Sequence, residues 1–221
     1  MKKRFVIAID GPAGSGKSTT ARLVAKRLGF LYIDSGAMYR AFTLEALKKG
    51  ISLNDEKALV TLLHFTKFDI ANSEYECLIF LNGENVTHEI RSPKVTANVS
   101  VVSEYPKVRE VITQKQREVA DDHSVVLEGR DIGTVVFPDA DLKIFMKASL
   151  KERAKRRFNE LQINGIKTEQ KDVEREIARR DKYDTKRQIS PLRKASDAII
   201  LDTTNMSINQ QVDFIVQKVL K

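Results

Sequence analysis

Eight consecutive residues carry the clearest chemistry in the chain: Gly11-Pro12-Ala13-Gly14-Ser15-Gly16-Lys17-Ser18. They fit the pattern Gly, any four residues, Gly-Lys, then Ser or Thr, with an apolar run before and an amphipathic stretch after. The glycines let the backbone curl so that successive N–H groups point at phosphate oxygens. The N-terminus of the following helix adds the positive end of its dipole. The stretch from Gly11 to Thr19 is thus the expected ATP site, with Lys17 on the β- and γ-phosphates and the Ser18 hydroxyl on Mg²⁺.

Three further clusters could act on a second anion. Glu128-Gly129-Arg130-Asp131 follows the apolar run Val125–Leu127. There Glu128 would hold a Mg²⁺-bound water, and Arg130 would clamp an acceptor phosphate with two parallel hydrogen bonds. A plainer alternative is a polar loop whose Arg130 and Asp131 pair with each other. In Asp34-Ser35-Gly36-Ala37-Met38-Tyr39-Arg40, Ser35 stands where it would cap a helix beginning near Ala37. The free N–H groups of that helix, with Arg40 one turn in, form a candidate anion site, or else Ser35 is an ordinary cap. Arg180, Asp184 and Arg187 recur at i, i+4, i+7 on one helical face, either as a binding surface or as a solvated ladder. Thr66-Lys67-Phe68-Asp69 mimics a guanine-binding pattern, but no Asp-x-x-Gly switch motif accompanies it, so it reads as coincidence.

The elements that must position these clusters follow from periodicity. Phe5–Ile9, Phe30–Ile33, Val125–Leu127, Leu142–Met146 and Ala198–Leu201 are short apolar runs, as expected of strands buried on both faces. Helices are expected at about 18–28, 37–49, 54–65, 93–103, 106–121, 150–163, 170–187 and 207–220. Five such strands with helices between them imply an α/β fold, a parallel sheet covered on both faces. Its ligands should bind beyond the carboxyl ends of the strands. Cys77–Leu81 followed by Asn82-Gly83 predicts a β-hairpin, and residues 67–90 read as an inserted antiparallel piece.

Composition narrows the class. The 221 residues suffice for one domain with an insertion or two. No apolar run reaches the length of a membrane helix. The basic start Met1-Lys2-Lys3-Arg4 lacks the apolar segment of a signal peptide, so a cytoplasmic protein is expected. Cys77 is the single cysteine, read as a buried structural thiol, and His64, His88 and His123 have no ligand spacing. The net charge of +8 suggests a polyanionic partner. Thirteen Lys and Arg against eight Asp and Glu fall in residues 149–187, without the aromatic interleaving of a single-strand binding platform. A pair of solvated helices accounts for most of these lysines, and the polyanion is either nucleic acid or a phosphorylated small molecule.

With these clusters in view, the chain resembles the bacterial-type cytidylate kinases, a branch of the nucleoside monophosphate kinase family of P-loop kinases. The resemblance covers nearly the whole chain. It rests on Ile9-Asp10-Gly11-Pro12 with the phosphate loop, on Asp34 to Arg40, on Glu128-Gly129-Arg130-Asp131-Ile132-Gly133-Thr134-Val135-Val136-Phe137-Pro138, and on Arg180-Asp181 through Pro191. It implies Mg²⁺-dependent transfer of the ATP γ-phosphate to CMP and dCMP. A monomer is expected, though the resemblance does not supply that expectation. The core would span about 1–36, 105–148 and 188–221, the monophosphate-binding insert about 37–104, and a helical lid about 149–187. The CMP phosphate would be held by Ser35, Arg40, Arg130 and Arg187. The cytosine edge would be read by Ser100, Arg109 and Asp131, and the ribose held by Arg180 and Asp184. Arg153, Arg156 and Arg157 would lie near the transferring phosphate. Glu128 stands where relatives often carry Asp, and Lys182, Tyr183, Thr185 and Lys186 vary within the ribose-binding stretch. Two other readings compete: a P-loop kinase with a different small acceptor, and a nucleic-acid-dependent ATPase.

Overall fold

The computed structural model describes residues 4–73, 77–163 and 165–220. The start Met1-Lys2-Lys3 and part of the expected insert, residues 74–76, lie outside the described residues. In chain order the elements are β1 (Val6–Asp10), α1 (Lys17–Leu28), β2 (Leu31–Asp34), α2 (Ser35–Lys48), α3 (Glu56–Phe65), β3 (Phe68–Asn72), β4 (Cys77–Leu81), β5 (Glu84–Asn85), α4 (Pro93–Glu104), α5 (Pro106–Ala120), β6 (Val125–Gly129), β7 (Leu142–Lys147), α6 (Leu150–Ile163), α7 (Gln170–Lys186), β8 (Ile199–Asp202) and α8 (Ile208–Val219).

The five apolar runs form one parallel sheet in the order β2-β6-β1-β7-β8. Side chains alternate across it, as the period of two demands. Val6 and Ala8 of β1, Ile33 of β2, and Val125 and Leu127 of β6 pack into a core with residues of α2 to α5. Ile7 and Ile9, with Val126, Ile144, Met146 and Leu201, pack on the other face with Ala21 and Val24 of α1 and Val212 and Ile215 of α8. The register places Asp10 beside Gly129 on one side and Phe145 on the other. The phosphate loop and the Glu128–Asp131 stretch therefore leave the sheet at the same level, beyond the carboxyl ends of adjacent strands.

Local expectations need correction or extension at four points. The helix after β2 begins at Ser35, not near Ala37, and its cap is Asp34, whose Oδ1 accepts from the Ala37 amide at 3.0 Å. Ser35 is the first helical residue, so it is not the cap. The expected hairpin is present as β4–β5, and β3 adds a third strand to make an antiparallel sheet, β3-β4-β5. Its turn residues Asn82 and Gly83 both take positive φ, 50° and 85°, as a type I′ turn requires. Cys77 is only half-buried, with Sγ 3.5 Å from the Tyr32 carbonyl oxygen. A π-helical turn over Ile132–Val136, unforeseen in the sequence, follows β6.

α6 and α7 pair through a small core of their own, Ala154, Val173 and Ile177 with Leu150, Phe158 and Leu161 around it. Among the described residues, no helix is long and apolar enough to cross a membrane.

Candidate active site

The loop between β1 and α1 passes so close to β7 that a Cβ on Gly11 would lie 2.2 Å from the Met146 carbonyl oxygen. Only glycine permits that approach, which fixes the loop over the sheet edge. The Lys17 ammonium donates to the Pro12 carbonyl at 2.9 Å. Burial, and next the charge of Arg130, push its pKa down to about 7, with Glu128 pulling the other way. The Ser18 hydroxyl donates to Glu128 Oε1 at 2.5 Å, joining the phosphate loop to the end of β6. Burial, then the charge of Asp34, raise the Glu128 pKa. A hydroxyl beside a carboxylate that carries a desolvation cost is a hard-oxygen pair suited to Mg²⁺, which would supply the compensating charge. Among the described residues, no group of three or more His, Cys, Asp or Glu is arranged to hold a metal. Ser18 and Glu128 are the candidate ligands here, and a Mg²⁺ ion that keeps waters and substrate phosphates would need few from the protein.

The second cluster lies beyond β2 and β6. A Cβ on Gly129 would meet Ser35 Oγ at 2.5 Å, so Ser35 sits directly over the end of β6. Asp34 Oδ2 accepts from Arg40 at 2.8 Å and aims that guanidinium. Arg130 Nε donates to Asp184 Oδ2 at 2.7 Å. Arg109 donates to Asp131 Oδ2 at 2.5 Å in an ion pair with both side chains under a tenth exposed. Its other amino group donates to the Ser103 carbonyl at 3.0 Å, and its carbon lies 5.3 Å above the Tyr39 ring. Arg187 comes within 3.8 Å of Asp131 Oδ1. Arg130 and Asp131 therefore do not pair with each other, the alternative left open by the sequence.

The arginines outnumber their partners. Arg180, open to solvent along part of its length, has no hydrogen-bonded partner among the described residues. Desolvation, then the charge of Arg130, lower its pKa. Arg187 is lowered as well, by desolvation and then by Arg109. Burial depresses Arg130, but the charge and hydrogen bond of Asp184 raise it on balance. Cations held below their ordinary values by burial and then by one another mark a place where a multiply charged anion is stabilised.

Not every expected residue converges. Arg157 pairs with Glu160 at 2.8 Å, both half-exposed. Ser100 is exposed on α4, one turn from the Ser103 carbonyl that Arg109 reaches. Arg153 is buried, but its guanidinium donates to the loop carbonyl of Ala13 and to Ala148, each at 3.0 Å. Arg156 reaches the loop too, donating to Ser15 at 3.4 Å and to the Thr203 carbonyl at 2.6 Å. Sequence reasoning gave no role to Asp10, Asp34 or Asp181. Asp10 accepts from the amides of Ile132 and Gly133, both at 2.8 Å, and so anchors the turn that carries Arg130 and Asp131. Burial pushes its pKa up to about 6 against those two hydrogen bonds. A charged residue ending an otherwise apolar strand was the available signal.

Comparison with known proteins places this geometry. The family model described as "Cytidylate kinase" matches residues 7–221. The chain belongs to the cytidylate kinase family. A cytidylate kinase of a Geobacillus species (strain WCH70) is 51% identical over 98% of this chain and 97% of its own length. That of Ligilactobacillus salivarius (strain UCC118) is 51% identical over 98% and 96%. Membership makes the chain a nucleoside monophosphate kinase, a phosphotransferase. Among solved structures, shikimate kinase from Acinetobacter baumannii in complex with shikimate superposes with a TM-score of 0.50 at 15% identity, covering 99% of this chain and 94% of that one. That likeness speaks for the shared fold alone.

Proposed function

We propose that the chain transfers the γ-phosphate of Mg-ATP directly to CMP and dCMP, giving CDP and dCDP. The observation that supports it most is the meeting of two anion sites at one sheet edge. Lys17 and Ser18 stand at the first, and Arg130, beside Lys17 in the electrostatics of the site, at the second. Phosphoryl transfer needs alignment and charge neutralisation more than a general base. Backbone amides of Gly11–Thr19 cradle the donor phosphates, and Lys17 exchanges its Pro12 partner for their oxygens. Ser18 would hold Mg²⁺ directly and Glu128 through water, and the ion would supply charge neutralisation at the phosphates. Ser35, Arg40, Arg130 and Arg187 hold the acceptor phosphate, and Arg180 and Asp184 the sugar. Asp131, whose Oδ1 keeps lone-pair capacity, accepts from the cytosine amino group, with Arg109 and Ser100 at the ring acceptors.

In this reading, residues 37–104 form the acceptor insert and 149–187 the lid that excludes water. Arg153 and Arg156 are the lid residues already at the loop, and Arg157 arrives only on closure. The protein acts as a cytoplasmic monomer without nucleic acid. An ADP-release assay across CMP, dCMP, UMP, AMP and non-nucleotide acceptors, with and without EDTA, tests the whole. CMP is expected to exceed UMP by about tenfold or more in kcat/KM. Turnover independent of monophosphates but stimulated by RNA or DNA overturns the reading.

A further inference from the structure

Two ion pairs run from α7 into the site, and only one belongs to the acceptor cluster. Asp184 accepts from Arg130 at 2.7 Å. Three residues earlier, Asp181 Oδ2 lies 2.7 Å from Arg153 Nη1 in a second ion pair. That same Nη1 donates to the carbonyl of Ala13 in the donor loop at 3.0 Å. Nε of Arg153 donates to the Ala148 carbonyl in the link between β7 and α6. One rigid helix thus carries Arg180 and Asp184 toward the acceptor and Asp181 toward the donor loop. The link closes a circuit, because Arg130 follows Glu128 on β6 and Glu128 is bonded to Ser18 of the same loop.

The chemistry of the pair suits a movable tie. Asp181 Oδ1 is shut away from solvent and accepts no hydrogen bond among the described residues, so one oxygen carries the whole contact. A carboxylate has about four acceptor positions, and a small rotation of α7 re-pairs this one. Arg153 meets the loop through backbone, not side chain. Any shift of the Ala13 carbonyl as the loop takes up phosphates therefore acts on the guanidinium, and through it on Asp181.

We propose that Asp181 is a positioning residue that couples the two nucleotide sites. Through Arg153 it ties the acceptor-facing helix to the donor loop, so that filling either site strengthens binding at the other. The inference rests on the ATP and CMP reading above. Linkage requires the effect to be reciprocal.

The test is titration calorimetry on the full chain, wild type, Asp181→Asn and Asp181→Glu. CMP affinity is measured with and without a non-hydrolysable ATP analogue plus Mg²⁺, and the analogue's affinity with and without CMP. In the wild type each nucleotide is expected to tighten the other by roughly fivefold or more. In the Asn variant that factor falls close to one, while affinity for either nucleotide alone changes by less than about threefold. The Glu variant restores most of the factor. Equal coupling in wild type and Asn variant, or none in the wild type, overturns the proposal. So does a parallel fall of all affinities with the thermal midpoint, which makes Asp181 a mere peg for α6 against α7. A higher kcat at unchanged coupling also overturns it, making Asp181 a restraint on Arg153. A wild type that fails to turn over CMP removes the functional reading itself; a CMP-active wild type with coupling retained in the Asn variant removes only this inference.

Discussion

Arg130 and Asp184, 54 positions apart, form an ion pair at 2.7 Å with the carboxylate almost fully removed from solvent. The spacing of Arg180, Asp184 and Arg187 had left open a solvated ladder, and this pair excludes it for Asp184. Asp184→Ala strands a buried guanidinium. A stability loss of about 3 kcal/mol is expected in chemical denaturation, against the few tenths typical of an exposed pair. The CMP KM should rise as well. A loss of a few tenths with unchanged kinetics would return Asp184 to the surface.

Lys17 sits where its charge is costly. Its pKa falls to about 7 in the folded chain against an ordinary 10.5. A lowered value means that the unfolded chain binds the proton more tightly between pH 7 and 10.5. Stability therefore rises with pH across that window, and the penalty is full at and below pH 7. Lys17→Met should abolish transfer by about 10³-fold or more, the scale of a lost transition-state charge contact. Without nucleotide it should nonetheless melt no lower than wild type at pH 7. Thermal melts from pH 6.5 to 9.5 should show the wild type gaining on the variant as pH rises.

Asp131 uses one oxygen for Arg109 and has only a distant cation at the other. A carboxylate only accepts, so it suits the amino group of cytosine and opposes the O4 of uracil. Asp131→Asn should narrow the CMP:UMP ratio of kcat/KM by about 10- to 150-fold, the worth of a hydrogen bond to a charged group. Equal losses on both substrates would confine Asp131 to holding Arg109 and Arg187.

The α6–α7 pair has a small core, yet the first turns of α6 are tied to the loop by Arg153 and Arg156. Hydrogen exchange should therefore divide the pair. Amides of 158–176 should exchange faster than those of 150–156 in the free protein and slow when both nucleotides bind. Uniform protection across the pair in both states would count against a lid hinged in this way.

The sheet and the glycine-rich loop were legible because their signals are local: five apolar runs, and a motif complete within eight residues. The arginine cluster beyond β2 and β6 was less so. Asp10 bonds to amides 122 and 123 positions away, and nothing near it in the chain announces Ile132 and Gly133. Asp34 caps the helix and aims Arg40 at once, two duties that a serine at the next position concealed. Arg156 and Arg157 are adjacent, but successive helical residues point about 100° apart, so one meets Thr203 and the other solvent.

The order of strands also bears on how the protein is made. β1, the earliest in sequence of the five strands, is the centre of the sheet, and both of its neighbours come from beyond residue 124. At about 5–20 residues per second, the stretch between β1 and β6 takes on the order of 6–24 s to synthesise. Through that interval Val6–Ile9 has no partner strand of its own sheet. Closure of the core must then join segments far apart in sequence, which makes folding slow and late. Co-translational assembly of this chain thus awaits β6 and β7, and a truncation before residue 125 would leave an apolar strand exposed to aggregation.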